Sequence, residues 1–377
     1  MAITEYYVSA AGGGAHDGTS EADAWTLSEA ITANNALGAG GAAGRRYNVK
    51  GANTGRGASD TISVGGTTTS PSIWRGYTTT IGDATVVRAS GGALDTTNAP
   101  DIGYNATFRL IVSAAHVVVE ALDVAANVSA YALDLTATNS SAIHCRAINS
   151  STNASAGGIR AQGTTRCKVI NCDAETGASG GNAAIRIDCT TGYVIGCRAK
   201  SPGAIGISVQ GGSCVEGNTV YECGTDGIHI ASGAGTPIIN NTVYGCGGDG
   251  IDVAAANTAD LTFVGNHVTD NGGYGFNMNG ATCSVVATNN RTRDNTSGAT
   301  SGAADWFTGT SIRHVTTDTG GASTDYTDTT TDDYSLIAAA PGISGNVGYL
   351  CDIGACGTPV VSGGGGGGPL IGGRLVQ

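Results

Sequence analysis

The sequence predicts an all-β solenoid, short parallel strands wound into coils that stack along one axis, with a short N-terminal capping helix and a loop-rich C-terminal cap. Three observations carry the prediction. Gly accounts for 62 of 377 residues, charged residues for 13% and aromatics for 5%, a composition suited to short strands and tight turns. The stretch GNTVYECGTDGIHI at 217–230 returns 23 positions later as NNTVYGCGGDGIDV at 240–253. The same period then extends in both directions as separate rows of equivalent residues.

One row runs Leu122, Cys145, Cys172, Cys197, Asn218, Asn241, Asn266, Asn290, in steps of 21 to 27 residues. Two positions on is a small or β-branched row: Val124, Ala147, Ala174, Ala199, Val220, Val243, Val268, Thr292. A third is apolar and mostly follows Gly: Leu133, Ile159, Ile185, Ile207, Ile228, Ile251, Phe276. A fourth reads Cys223, Cys246, Asn271, Asn295. Rows that share one variable period are equivalent sites on successive coils, each stacked ~4.8 Å from the next. A buried Asn row satisfies its amides by bonding along the stack, and Cys replaces it in the earlier coils as a small buried thiol. The Gly before each Ile or Phe is expected to permit a bend that a Cβ would resist.

In chain order, residues 1–60 read as a strand at Glu5–Ser9, an amphipathic helix near Leu27–Leu37 that plugs the open end of the stack, and a strand around Arg46–Lys50. Coils occupy 61–297, irregular through TISV, SIWRGY and TVVRAS and regular from 105. Residues 298–358 lose the rows, become Thr/Asp-rich and read as the cap. Residues 359–377 hold six consecutive glycines, a flexible linker, and an apolar tail. Its Leu370, Ile371, Leu375 and Val376 are expected to anchor the chain to other subunits of a particle or homo-oligomer.

These rows resemble the right-handed parallel β-helix superfamily that includes pectate lyases, alginate epimerases and phage tailspikes. The N-terminal YYVSAAGGGAHDGTSEADAWTLSEAI is similar to the opening segment of many of its members, and DYSLIAAAPGI with DIGAC to their closing segment. The resemblance implies a right-handed solenoid; the fold serves lyases, hydrolases, epimerases and non-enzymatic adhesins alike.

The net charge of −12, with Lys only at 50, 168 and 200, excludes a nucleic-acid binder, which needs grouped cations. No apolar run approaches the ~20 residues of a membrane span. The N-terminus lacks the charged and apolar regions of a signal peptide, which leaves three readings: cytoplasmic, assembled into a virion, or secreted with a leader outside this sequence. Eleven cysteines leave at least one unpaired, and no pair has zinc spacing. Cys351 and Cys356 read as a local disulfide or as two thiols; the row cysteines read as reduced.

Candidate chemistry lies on the residues that follow the Ile row, which alternation turns outward: Arg160, Arg186, Ser208, His229, Asp252, Asn277. Two positions before the row come Asp226, Asp249 and Tyr274. Asp226, His229, Asp249 and Asp252 are thus expected on one exposed patch, with Arg186 two coils away. Stacked carboxylates need a cation or a proton. The resemblance implies Ca²⁺ on such carboxylates with Arg as base in lyases, or paired Asp residues in hydrolases; otherwise no cofactor is expected. The plain alternative is that Asp-Gly is good turn chemistry. Tyr221, Tyr244 and Tyr274 are candidate glycan-contacting rings. Two functions follow. One is a non-enzymatic structural or glycan-binding protein of a virion or extracellular surface, such as a decoration, fibre or spike component. The other is a polysaccharide lyase or epimerase acting on an acidic glycan.

Overall fold

The computed structural model describes residues 3–300 apart from 52–58, 82, 84–99, 104–108, 178–181, 233–234, 256–259, 280–284 and 289. Beyond 300 it describes two short strands, Tyr326–Asp328 and Asp333–Leu336. Cys351, Cys356, the glycine linker and the expected anchor residues Leu370, Ile371, Leu375 and Val376 lie outside the described residues.

The chain is a parallel β-solenoid of about 8 turns. Three sheets run its length. The first has eleven strands, from Thr4–Ser9 to Val285–Thr288; the second nine, from Asp101–Gly103 to Arg291–Arg293; the third ten, from Asp60–Ile62 to Gly298–Thr300. One coil visits them in the order third, first, second, as in Ile228–Ser232, Thr236–Ile239 and Thr242–Tyr244. The repeat rows are the registers of these sheets. Ile207 pairs with Ile228, Ile228 with Ile251 and Ile251 with Phe276 in the third sheet; Val220 pairs with Val243 and Val243 with Val268 in the second.

The Asn row forms a continuous internal ladder at the corner between the first and second sheets. Asn218 Nδ2 donates to Asn241 Oδ1 at 2.9 Å, Asn241 to Asn266 at 3.0 Å and Asn266 to Asn290 at 2.8 Å. Each Oδ1 also accepts the backbone N–H of the preceding rung, as from Asn218 to Asn241 at 3.0 Å. In the earlier coils Cys Sγ accepts that N–H at 3.4 Å. Asn271 and Asn295 repeat the device at the next corner. Every described residue before a rung has positive φ: Ala121, His144, Asn171, Gly196, Gly217, Asn240 and Gly265 at one corner, Glu222, Gly245, Asp270 and Asp294 at the other. That one left-handed residue turns the chain, and Gly and Asn adopt it most cheaply.

The glycines before the Ile row serve a different purpose from the bend the sequence suggested. Gly206, Gly227 and Gly250 do not have positive φ. A Cβ there would fall 2.2, 2.2 and 2.1 Å from Cγ1 of Val220, Val243 and Val268. Lack of room beside the Val row excludes a side chain.

At the N-terminal end, helix Leu27–Asn35 begins with a Thr26–Glu29 capping box. It ends two residues short of the expected Leu37. It buries Leu27, Ala30 and Ile31, and Asn34 and Asn35 donate to the carbonyls of Val64 and Thr61. The helix thus seals the first coil. Beside it Trp25, Tyr6, Tyr47 and Trp74 stack at 5.2, 5.4 and 4.1 Å. Strand Thr4–Ser9 pairs with Arg45–Lys50, which pairs with Ser72–Tyr77, so the N-terminal segment is built into the first sheet. No helix among the described residues is long and apolar enough to cross a membrane, which says nothing of β-barrel spans.

A candidate acid–base site on the outer face of the third sheet

Alternation along Ile228–Ser232 and Ile251–Val253 puts Ile228, Ile230, Ile251 and Val253 in the core and turns His229 and Asp252 outward. The two are direct partners across the coils. His229 Nδ1 and Asp252 Oδ2 are 2.7 Å apart. Asp226, in the turn before Ile228, completes a trio whose ligand atoms all lie within 4.8 Å of one another.

Burial raises the Asp226 carboxyl above its ordinary value, aided by the negative charges of Asp252 and Asp249 and opposed by the Asp249 N–H and by His229. The hydrogen bond to Asp252 raises His229, against the penalty of its burial. Below the His229 value the imidazole is cationic, and above the Asp226 value the carboxyl is ionised. With Asp226 ionised and His229 protonated, a carboxylate faces an imidazolium. With Nδ1 donating to Asp252, Nε2 is the nitrogen left for a ligand.

The expected patch is therefore smaller and deeper than the sequence suggested. Asp252 is 5% exposed. Asp249 turns away from the trio: its carboxylate accepts the Tyr274 N–H at 2.5 Å and the Asn277 amide at 2.6 Å, while its own N–H donates to Asp226 at 3.0 Å. The carboxylate it was expected to share with an ion is occupied by the next coil. Among the described residues, Asp226, His229 and Asp252 are the group able to hold a metal, and the imidazole suits a transition ion better than Ca²⁺. Arg186 pairs with Asp188 of its own strand-turn at 2.8 Å and stays apart from the trio.

The tyrosines are not one platform. Tyr221 and Tyr244 are register partners on the second sheet, as expected from their spacing, but Tyr221 is 5% exposed with the Arg198 guanidinium 4.8 Å over its ring. Outward-facing rings on a strand are here packing partners for cations. Tyr274 belongs to the third sheet, beside Asp249.

A second cluster on the same face went unread in the sequence. The outward row continues backward from Arg160 to Asp134, which is fully buried. Asp134 accepts from Arg109 at 2.9 Å and from Arg160 Nε and Nη2 at 2.9 and 2.8 Å. The signal was present: Asp134 follows row residue Leu133 as His229 follows Ile228.

A family described as "Right handed beta helix region" matches residues 183–331. Curated proteins give no sequence match. Among solved structures, the crystal structure of pectate lyase Pel9A superposes with a TM-score of 0.61 at 15% identity, covering 94% of this chain and 96% of that one. The bacteriophage CBA120 tailspike protein 3 covers 70% of this chain and 50% of that one at 9% identity, with a TM-score of 0.28, too slight an overlap to bear on fold or function. The registers, the family match over 183–331 and the Pel9A superposition agree on one fold, a right-handed parallel β-helix.

Proposed function

We propose that the protein binds an extended polysaccharide along the outer face of the third sheet, centred on Asp226, His229 and Asp252. One observation carries this reading. Three polar side chains from two consecutive coils converge within 4.8 Å on a solvent-reachable face, in line with further outward polar groups, Arg160, Arg186, Ser208 and Asn277. Sugar hydroxyls are both donors and acceptors, and a row of carboxylate, imidazole, guanidinium and amide groups meets both needs. The fold shared with a pectate lyase is in keeping with a glycan ligand. A virion or other extracellular surface belongs to the same proposal, since long-chain glycans are met there.

The proton inventory favours turnover as a second reading. An Asp226 carboxylate in reach of a His229 imidazolium is a base–acid pair, with Asp252 orienting the ring. In β-elimination on a uronic acid, Asp226 would take the proton α to the carboxyl. The resulting carbanion would expel the glycosidic oxygen, which His229 would protonate as the C–O bond breaks. In epimerisation the carbanion would instead regain a proton on its other face.

The test is a panel of neutral and acidic polysaccharides assayed for retention on the protein, for unsaturated uronate by ultraviolet absorbance, and for epimerised residues by NMR. Binding that His229→Gln and Asp226→Asn weaken supports the first reading. Product formation abolished by either variant establishes the second. Absence of binding to every acidic and neutral glycan overturns both.

A further inference from the structure

The cluster beside the proposed site carries a more specific chemistry. Tyr131 occupies the position in its coil that Asp226 and Asp249 occupy in theirs, two residues before the core row. Its register partner is Gly157, where a Cβ would fall 2.2 Å from Tyr131 Cε1. The missing side chain lets the Tyr131 ring lie across the next coil. The Arg160 guanidinium is 5.1 Å over that ring. The ring end lies close enough to Arg186 for its guanidinium to pull the hydroxyl down, while burial, the larger effect, pushes it up to about 12. Tyr131 is 2% exposed, and its hydroxyl makes no well-formed hydrogen bond, although the Arg186 guanidinium lies within its reach.

A buried hydroxyl without a well-formed hydrogen bond costs up to ~1–3 kcal/mol, so its retention calls for a reason. The charges around it supply one. Arg109 and Arg160 share Asp134, and Arg186 pairs with Asp188: three guanidiniums against two carboxylates. Arg160 and Arg186 keep 24% and 35% of their side chains exposed, whereas the Asp134 side chain is wholly covered. The cluster thus carries one net positive charge on a chain whose net charge is −12.

We propose that Arg160, Arg186 and the Tyr131 hydroxyl form an anion subsite, taking the carboxylate or sulfate of an acidic glycan. Register places it beside the first site on the same face: Arg186 pairs with Ser208, and Ser208 with His229, two coil steps or ~10 Å. An anionic group held here would fix the chain's register, leaving a neighbouring sugar over Asp226 and His229. The anion chemistry stands on the cluster alone; its assignment to a glycan rests on the function proposed above.

The full chain would be titrated calorimetrically with sodium sulfate, sodium glucuronate and glucose, and separately with neutral and acidic oligosaccharides. Glucuronate or sulfate should bind and glucose should not. Tyr131→Phe should weaken anion binding about tenfold, the loss of one hydrogen bond to a charged group, and Arg186→Gln by more. Arg75→Gln, which removes an arginine of the first sheet outside both sites, should leave binding of the two small anions unchanged. Preference for sulfate or for glucuronate identifies the natural group. Equal binding by wild type, Tyr131→Phe and Arg186→Gln, or no anion binding at all, overturns the subsite. Retention of neutral oligosaccharides in that case leaves the glycan reading standing. Anion binding without oligosaccharide binding keeps the subsite and removes the glycan reading. Far-ultraviolet circular dichroism of each variant checks that the β-helix is intact.

Discussion

Replacing Asn241 by Ala tests whether the internal ladder holds the coils together. Asn241 is fully buried. Its Nδ2 donates to Val215 O at 3.0 Å and Asn266 Oδ1 at 3.0 Å; its Oδ1 accepts Asn218 N at 3.0 Å and Asn218 Nδ2 at 2.9 Å. Alanine deletes all four bonds. The Val215 carbonyl and the Asn218 N–H lose partners in a dry corner. Asn218 Nδ2 keeps Val194 O, and Asn266 Oδ1 keeps the Asn241 N–H. At roughly 1 kcal/mol net per bond, with a penalty for the two stranded groups, the loss is about 3–5 kcal/mol. Against a typical total of about 5–15 kcal/mol, that is a large shift in a urea midpoint. Asn241→Cys should lose less, about 1–2 kcal/mol, because Cys172 at the same corner accepts the Cys145 N–H at 3.4 Å and places its thiol 3.3 Å from Ile170 O. Coils contact only their neighbours, so hydrogen exchange should rise first in residues 194–266. A loss below about 1 kcal/mol, or equal losses for Ala and Cys, would refute the view that these side chains staple the corner.

Gly227→Ala should cost about 1–3 kcal/mol by overpacking, since its Cβ meets Val243 Cγ1 and the Gly250 carbonyl; Gly227→Ala combined with Val243→Ala should recover part of the loss in urea unfolding. Arg166, exposed at φ 57°, should gain about 0.5–1 kcal/mol on change to Gly, read as a higher melting temperature. Asp226→Asn should raise stability at neutral pH. The folded carboxyl binds its proton more tightly than the unfolded one, so its contribution is present below the unfolded value and lost as pH rises through the folded one; the gain should vanish in strong acid. His229 likewise contributes stability that is full below its ordinary value and lost as pH rises through its raised one, and His229→Gln should flatten unfolding-midpoint curves there. If glycan turnover is found, its pH profile should be a bell rising through the Asp226 value and falling through the His229 value; a rate that keeps climbing above the His229 value would exclude His229 as the acid.

The repeat rows alone determined the coil. Equivalent residues in a solenoid must stack, so periodic Asn218, Asn241, Asn266 and Asn290 carry both the ladder and the register of two sheets, and the outward position of His229 and Asp252 follows from alternation on one strand. Side-chain direction in three dimensions was beyond that reach. Asp226 and Asp249 look equivalent in sequence, yet one coil on from Asp249 stand the Tyr274 N–H and the Asn277 amide, which bind its carboxylate, while one coil on from Asp226 stand the Asp249 N–H and the Asp252 carboxylate. The glycines before the Ile row read as bends, but the constraint is the volume of Val220, Val243 and Val268 across the core. The Tyr131 cluster depends on a missing Cβ at Gly157 in the following coil and on charges from Arg109 to Asp188. Periodicity reports which residues are neighbours along the stack; how each side chain distributes its hydrogen bonds among those neighbours is settled by packing between coils.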